Sequence, residues 1–287
     1  MIIDSHCHVG AGIGSTGPGG SSTFKHYLAR AVAAGIDRTV IFSGFYRDYQ
    51  ISNRIVGRMV LAHPDRFDGF AFVHAERDRS QVEEMIDEAV SRFGFKGIKV
   101  HRRDAPITRE VCEVARLHRL PILYDVMGRI GICHRLAADY PDVNFIIPHL
   151  GSFYDDLSAQ RELITVLKQY ENLFTDTAGV RHFDLLARTV HETGPDKVLF
   201  GTDGPWLHPG NELDRVTRLG LRSAELQLVL GENYLRLTNQ LPKAVSRVIR
   251  LPHRTDPGYD WPDEAAMFDH SLQDAVPPAA GFHPPGR

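Results

Sequence analysis

Gly97-Ile98-Lys99-Val100-His101, Arg109–His118 and Pro121-Ile122-Leu123-Tyr124-Asp125-Val126 follow one another directly along the chain. The outer two stretches are short, apolar and rich in β-branched residues. The middle one repeats apolar residues at Val111, Val114 and Ala115, the spacing of one helix face. Strand, helix, strand, with both strands nearly continuously apolar, predicts a parallel βαβ unit covered on both faces. Both strands end on polar groups. Lys99 and His101 share a face, because residues two apart in a strand point the same way, and Asp125 ends the next strand.

The same alternation extends in both directions. Further strand-like runs are Met1–Asp4, Thr39–Phe42, Gly69–Val73, Asn144–Pro148, Asn172–Asp176 and Lys197–Phe200. Further helical patterns cover Phe24–Ala34, Gln81–Phe93, Ile130–Tyr140, Leu157–Tyr170, Phe183–Glu192 and Ser223–Leu237. Eight such units without a break in composition predict an α/β fold, a (β/α)8 TIM barrel over residues 1–242. A doubly wound open sheet is the alternative. Residues 243–287 read as an irregular, Pro-rich C-terminal extension. Tyr259, Trp261, Phe268 and Phe282 give that tail enough aromatic surface to pack on the barrel or on a second copy, so a homodimer is expected. Gly10–Thr23, rich in Gly and Ser, reads equally as a lid or as a solvated connector.

Composition narrows the function classes. Of 287 residues, 43% are hydrophobic and 24% charged, and the net charge is −3, so no basic surface for nucleic acid or anionic membrane is expected. The apolar runs are strand-sized and the first residues lack a charged, then apolar, leader, so neither a membrane span nor secretion is expected. Cys7, Cys112 and Cys133 at unrelated spacings suggest reduced thiols and a cytoplasmic protein.

In such a barrel the chemistry gathers at the C-terminal strand ends. The sequence places His6 and His8 there on the first strand, His74 on the third, Lys99 and His101 on the fourth, and Asp125 on the fifth. His149, Asp176 and Asp203 end the sixth, seventh and eighth, and Trp206 follows shortly after. Buried charge at so many apolar strand ends requires pairing or a metal. His6 and His8 form half of a metal site. Asp176 reads as a loop anchor, and Asp4 as support for a neighbouring strand.

These motifs resemble the amidohydrolase superfamily, in its amidohydrolase-related branch of hydrolases, lactonases and decarboxylases. The resemblance rests on His6-Cys7-His8, Gly94-Phe95-Lys96-Gly97-Ile98-Lys99-Val100-His101, Pro148-His149-Leu150-Gly151, Gly201-Thr202-Asp203-Gly204-Pro205 and Leu230-Gly231-Glu232-Asn233-Tyr234-Leu235-Arg236-Leu237. It implies one divalent metal, Zn first and Mn or Fe as alternatives, held by His6, His8 and Asp203. His149 would then orient water or polarise the substrate. Where the family pattern has a strand-five histidine this chain has Asp125, which leaves two outcomes open. Asp125 completes a site of two imidazoles and two carboxylates, or the enzyme is metal-free with Asp203 as general base.

The resemblance further implies catalytic roles for Asp203, His149 and Lys99. Lys99 would face a substrate carboxylate or pair with Asp125, and His101, His74 and Trp206 would contact a small-molecule substrate. Hydrolysis of a carboxylated ester, lactone or amide is the first expectation. Non-oxidative decarboxylation of an aromatic or unsaturated acid is the second, and a non-catalytic binding protein on the same barrel the third.

Overall fold

The computed structural model describes residues 1–10, 24–153 and 155–238. The expectations for a lid over residues 11–23 and for the 243–287 extension lie outside the described residues.

Eight parallel strands pair in chain order. They are β1 (Ile3–Val9), β2 (Arg38–Ser43), β3 (Phe67–Val73), β4 (Gly97–His101), β5 (Ile122–Asp125), β6 (Phe145–Ile147), β7 (Leu173–Asp176) and β8 (Val198–Leu199). Helices α1 (Phe24–Ala33), α2 (Tyr49–Ala62), α3 (Val82–Phe93), α4 (Arg109–His118), α5 (Gly131–Asp139), α6 (Leu157–Leu167) and α7 (Phe183–Thr193) join successive strands. After β8 come α8 (Pro209–Thr217), α9 (Ser223–Gln227) and α10 (Asn233–Thr238). The expected (β/α)8 barrel is the fold.

Parallel pairing continues past β8 onto β1. Ser5 N–H donates to Phe200 O at 2.9 Å and His8 N–H to Gly204 O at 2.7 Å. The Asp4 carboxylate locks this seam, accepting from Thr202 N–H (2.9 Å), Thr202 Oγ1 (2.6 Å), His6 N–H (3.1 Å) and the Tyr27 hydroxyl of α1.

Two apolar layers follow from strand alternation. Val40, Phe70, Leu123, Ile146, Phe174 and Leu199 fill the barrel, joined at its lower end by Tyr234 and Leu237 of α10. The opposite strand faces and the helices form the larger outer layer. Gly97 makes room for the interior: a Cβ there would lie 2.5 Å from the Phe70 ring.

The structure differs from expectation in three places. β1 runs to Val9, well past the apolar run Met1–Asp4, and carries both histidines as expected. Helices α2 and α8 form where no helical pattern was read. Within α2, Gly57 weakens the sequence signal, yet it lets the Phe93 ring pack against the helix backbone. The single helix expected over Ser223–Leu237 is interrupted by a π-helical turn at Leu228–Glu232. There the Val229 carbonyl accepts from Phe200 N–H at 2.8 Å, drawing it toward the barrel. Among the described residues no helix is long and apolar enough to cross a membrane.

Two outcomes are expected from this packing. Gly97→Ala should cost about 1–3 kcal/mol in urea unfolding, because the Phe70 ring has no free space to move into. Burial pushes the Asp4 carboxyl from 3.8 up to about 7 against the hydrogen bonds that lower it. The folded state therefore keeps a proton that the unfolded chain releases, and this contribution is present at low pH and lost as pH rises from about 4 to 7. In chelated protein, Asp4→Asn should remove a few kcal/mol of that pH dependence, read as the difference in denaturation midpoints between pH 4 and pH 8.

Candidate metal centre

β1 carries His6 and His8 on its inward face, and chain closure delivers Asp203 opposite them. His6 Nε2 lies 3.3 Å and His8 Nε2 3.7 Å from Asp203 Oδ1. All three side chains are buried. Asp203 sits in the left-handed backbone region (φ 54°), as does His149 (φ 59°). Such conformations cost of order 1–3 kcal/mol each and persist where surrounding contacts hold them. For His149 one holding contact is its N–H, which donates to Asp176 Oδ1 at 3.0 Å.

The ring protons are set by groups that can only accept. His6 Nδ1 lies 2.7 Å from Asp176 Oδ2, His8 Nδ1 3.0 Å from Ser43 O, and His149 Nδ1 2.7 Å from Ala178 O. Each Nδ1 therefore carries the hydrogen, which leaves the Nε2 lone pairs of His6 and His8 aimed at a carboxylate oxygen. Imidazoles that ligate metals are oriented in this way by carboxylates and carbonyls. His101 is the opposite case. Its Nδ1 accepts from Arg103 N–H at 3.0 Å, so its proton is on Nε2, which donates to Asp125 Oδ2 at 3.1 Å.

The electrostatics agree with this assignment. Burial, with the nearby Lys99 charge, holds His6 and His8 well below the ordinary histidine range, so both are neutral. Burial pushes the Asp203 carboxyl well above the usual carboxylate range, against the pull of Lys99. Burial would raise Asp125 too, but the electrostatic pull and hydrogen bond of the His101 Nε2–H, together with His149 and Lys99, hold it below that range. His6 Nε2 is buried and without a hydrogen-bond partner. Two neutral imidazole lone pairs and a carboxylate oxygen, gathered around such an atom, fit a divalent cation. A second cluster, His6, His149 and Asp176, is as compact, but its Asp176 oxygens are already engaged by His6 Nδ1 and by the N–H groups of His149 and Ala178.

Asp125 lies in neither cluster. One of its oxygens takes His101 and the other the Met127 N–H at 2.8 Å, while His149 Nε2 is 3.8 Å away. The Lys99–Asp125 ion pair does not form: the buried Lys99 Nζ makes no hydrogen bond and packs 5.0 Å above the Phe42 ring. Burial lowers its pKa. The Trp206 ring lies 4.7 Å from that of His8, tilted by 51°, and helps wall the site. His74 turns into the β3–α3 connection, where Nδ1 accepts from Arg77 N–H at 3.2 Å.

Sequence reasoning missed the supporting role of Asp176, although its place at the end of β7 was a signal. It also missed Phe45, whose ring lies 4.8 Å from His101 and 4.8 Å from the Arg103 guanidinium. The carbonyls of Ser43 and Ala178 carry no sequence signal.

Residues 3–237 match the sequence model of a family described as amidohydrolase. A comparison with curated proteins gives no match. Among solved structures the chain resembles a 2,6-dihydroxybenzoate decarboxylase from Rhizobium (17% identity, TM-score 0.63), the alignment covering 83% of this chain and 98% of that one. It resembles 5-carboxyvanillate decarboxylase from Sphingomonas paucimobilis at 14% identity and TM-score 0.63, over 83% and 98% of the two chains. A dihydroxybenzoic acid decarboxylase from Polaromonas sp. JS666, with bound manganese and an inhibitor, aligns at 17% identity and TM-score 0.62 over 83% and 96%. At these identities the likeness is one of fold.

Asp176→Asn should weaken divalent-metal affinity by about 10–100-fold, since it unsettles the proton on His6 Nδ1 without removing a ligand. Competition against a fluorescent chelator measures this, with His6→Ala and Asp203→Ala as the variants expected to lose the metal.

Proposed function

The chain belongs to the amidohydrolase family, and we propose that it hydrolyses a small carboxylated ester, lactone or amide in the mouth of its barrel. The observation that supports this most is Asp203 Oδ1, facing two imidazole Nε2 atoms in a buried site. A divalent cation held by His6, His8 and Asp203, Zn²⁺ first and Mn²⁺ as in the Polaromonas decarboxylase second, supplies a Lewis acid and lowers the pKa of a bound water.

The chain's own residues do the rest. The raised Asp203 carboxyl has the proton affinity to take a proton from the attacking water and return it to the leaving group. Lys99, a buried amine with no hydrogen-bond partner, attracts the substrate's carboxylate and gains its full charge in doing so. His149 keeps its proton on Nδ1 and presents Nε2 to the pocket. There the Nε2 lone pair accepts from the attacking water and orients it toward the substrate carbonyl. Trp206 and Phe45 exclude water from an apolar or aromatic substrate body.

Decarboxylation is the second reading, favoured by the likeness to three aromatic-acid decarboxylases. In that case Asp203 holds a proton that it delivers to a ring carbon before CO₂ leaves.

The test is a panel of lactones, esters, amides and aromatic acids incubated with metal-replete enzyme, scoring ring-opened or cleaved acid against CO₂. Asp203→Asn should lower kcat by about 10²–10⁴-fold, and Lys99→Met should raise KM chiefly for substrates bearing a carboxylate. Release of CO₂ without hydrolysis moves the assignment to the second reading. Absence of any turnover in metal-replete enzyme overturns both.

A further inference from the structure

We propose that Glu212 and Arg215 of α8 are positioning residues that fix the proton of His149 through the loop after β7. Glu212 is buried, and its Oε2 accepts from Gly179 N–H at 3.1 Å. Arg215 donates both to that carboxylate and to the Val180 carbonyl. The two side chains thus grip neighbouring residues of the loop, and the Gly179 N–H held by Glu212 shares its peptide group with the Ala178 carbonyl. The preceding residue of the same loop, Ala178, supplies the carbonyl that takes His149 Nδ1–H at 2.7 Å. Its N–H is tied in turn to Asp176 Oδ1 at 3.1 Å. Gly179 adopts φ 62°, and a Cβ there would lie 2.8 Å from the Phe153 ring, so the loop passes close against Phe153 at this point.

The tautomer of His149 is a contest for one proton. Ala178 O draws it to Nδ1, and Asp125 Oδ2, 3.8 Å from Nε2, draws it the other way. A carboxylate is the stronger acceptor, and position gives the carbonyl its advantage. A loop that relaxes weakens the Ala178 acceptor and shifts the proton toward Nε2, on the Asp125 side. The open Nε2 of the proposed mechanism is then lost. Neither Glu212 nor Arg215 is among the residues gathered around Asp203, and their hydrogen bonds to the backbone are made within this loop. The functional consequence rests on the role proposed for His149, whereas the tautomer is measurable without any reaction.

Nitrogen-15 NMR of the His149 ring in full-length, chelated protein tests the inference. Wild type should show protonated Nδ1. Glu212→Ala and Arg215→Met should shift the neutral ring toward Nε2–H, and Glu212→Gln, which keeps an acceptor for Gly179 N–H, should restore the wild-type pattern. Arg218→Met, which removes an exposed pair with Asp214 on the same helix, should change nothing. In parallel, kcat on any substrate found should fall about 10–100-fold in the first two variants, with KM nearly unchanged. Wild-type Nδ1 protonation that persists in both Glu212→Ala and Arg215→Met overturns the proposal. A wild-type ring already protonated only on Nε2 overturns it together with the role given to His149, while failure of the substrate panel alone leaves the NMR result standing.

Discussion

The structure turns on the seam where the chain returns to its start. Parallel backbone pairing between β1 and the segment after β8 brings Asp203 against His6 and His8, residues almost two hundred positions away in sequence. Asp4 holds that seam with donors from α1, β1 and the residue next to Asp203. A buried carboxylate with this many donors is costly to disturb, because each donor would lose a hydrogen bond that compensates for leaving water. Barrel closure and site assembly are therefore the same event. A strand-order change that left the barrel open would also leave the two imidazoles without their carboxylate.

Around that core, chemistry is assigned by acceptors that cannot donate. Asp176, the Ser43 carbonyl and the Ala178 carbonyl each fix a ring proton, and the Arg103 amide fixes the His101 proton in the opposite sense. Four histidines of identical intrinsic chemistry thereby divide into lone-pair donors and a hydrogen-bond donor. Asp125 falls on the second side. Its pairing with His101 lets an anion stand at this strand end while Lys99 remains unpaired and available for an acidic substrate.

Much of the fold was legible in the sequence. Continuous apolar strands alternating with amphipathic helices specify parallel pairing, and parallel strands joined by helices close most compactly as a barrel. The helices α2 and α8 escaped because local signals were weak: Gly57 breaks the propensity of the first, and its reason, the Phe93 ring, lies in another helix. The break at Leu228–Glu232 was equally invisible, since it answers to a hydrogen bond from Phe200.

For the site, sequence alone determined which strands end in polar groups and, through the two-residue period of a strand, that His6 and His8 share a face, as do Lys99 and His101. Tertiary structure decided which of these groups meet. It joined His6 to Asp176, drew Asp125 to His101 and away from Lys99, and set a backbone carbonyl behind His149. Strand periodicity is a local property carried by covalent geometry. Pairing across the barrel depends on register, loop conformation and the position of backbone groups, which side-chain identity does not encode one residue at a time.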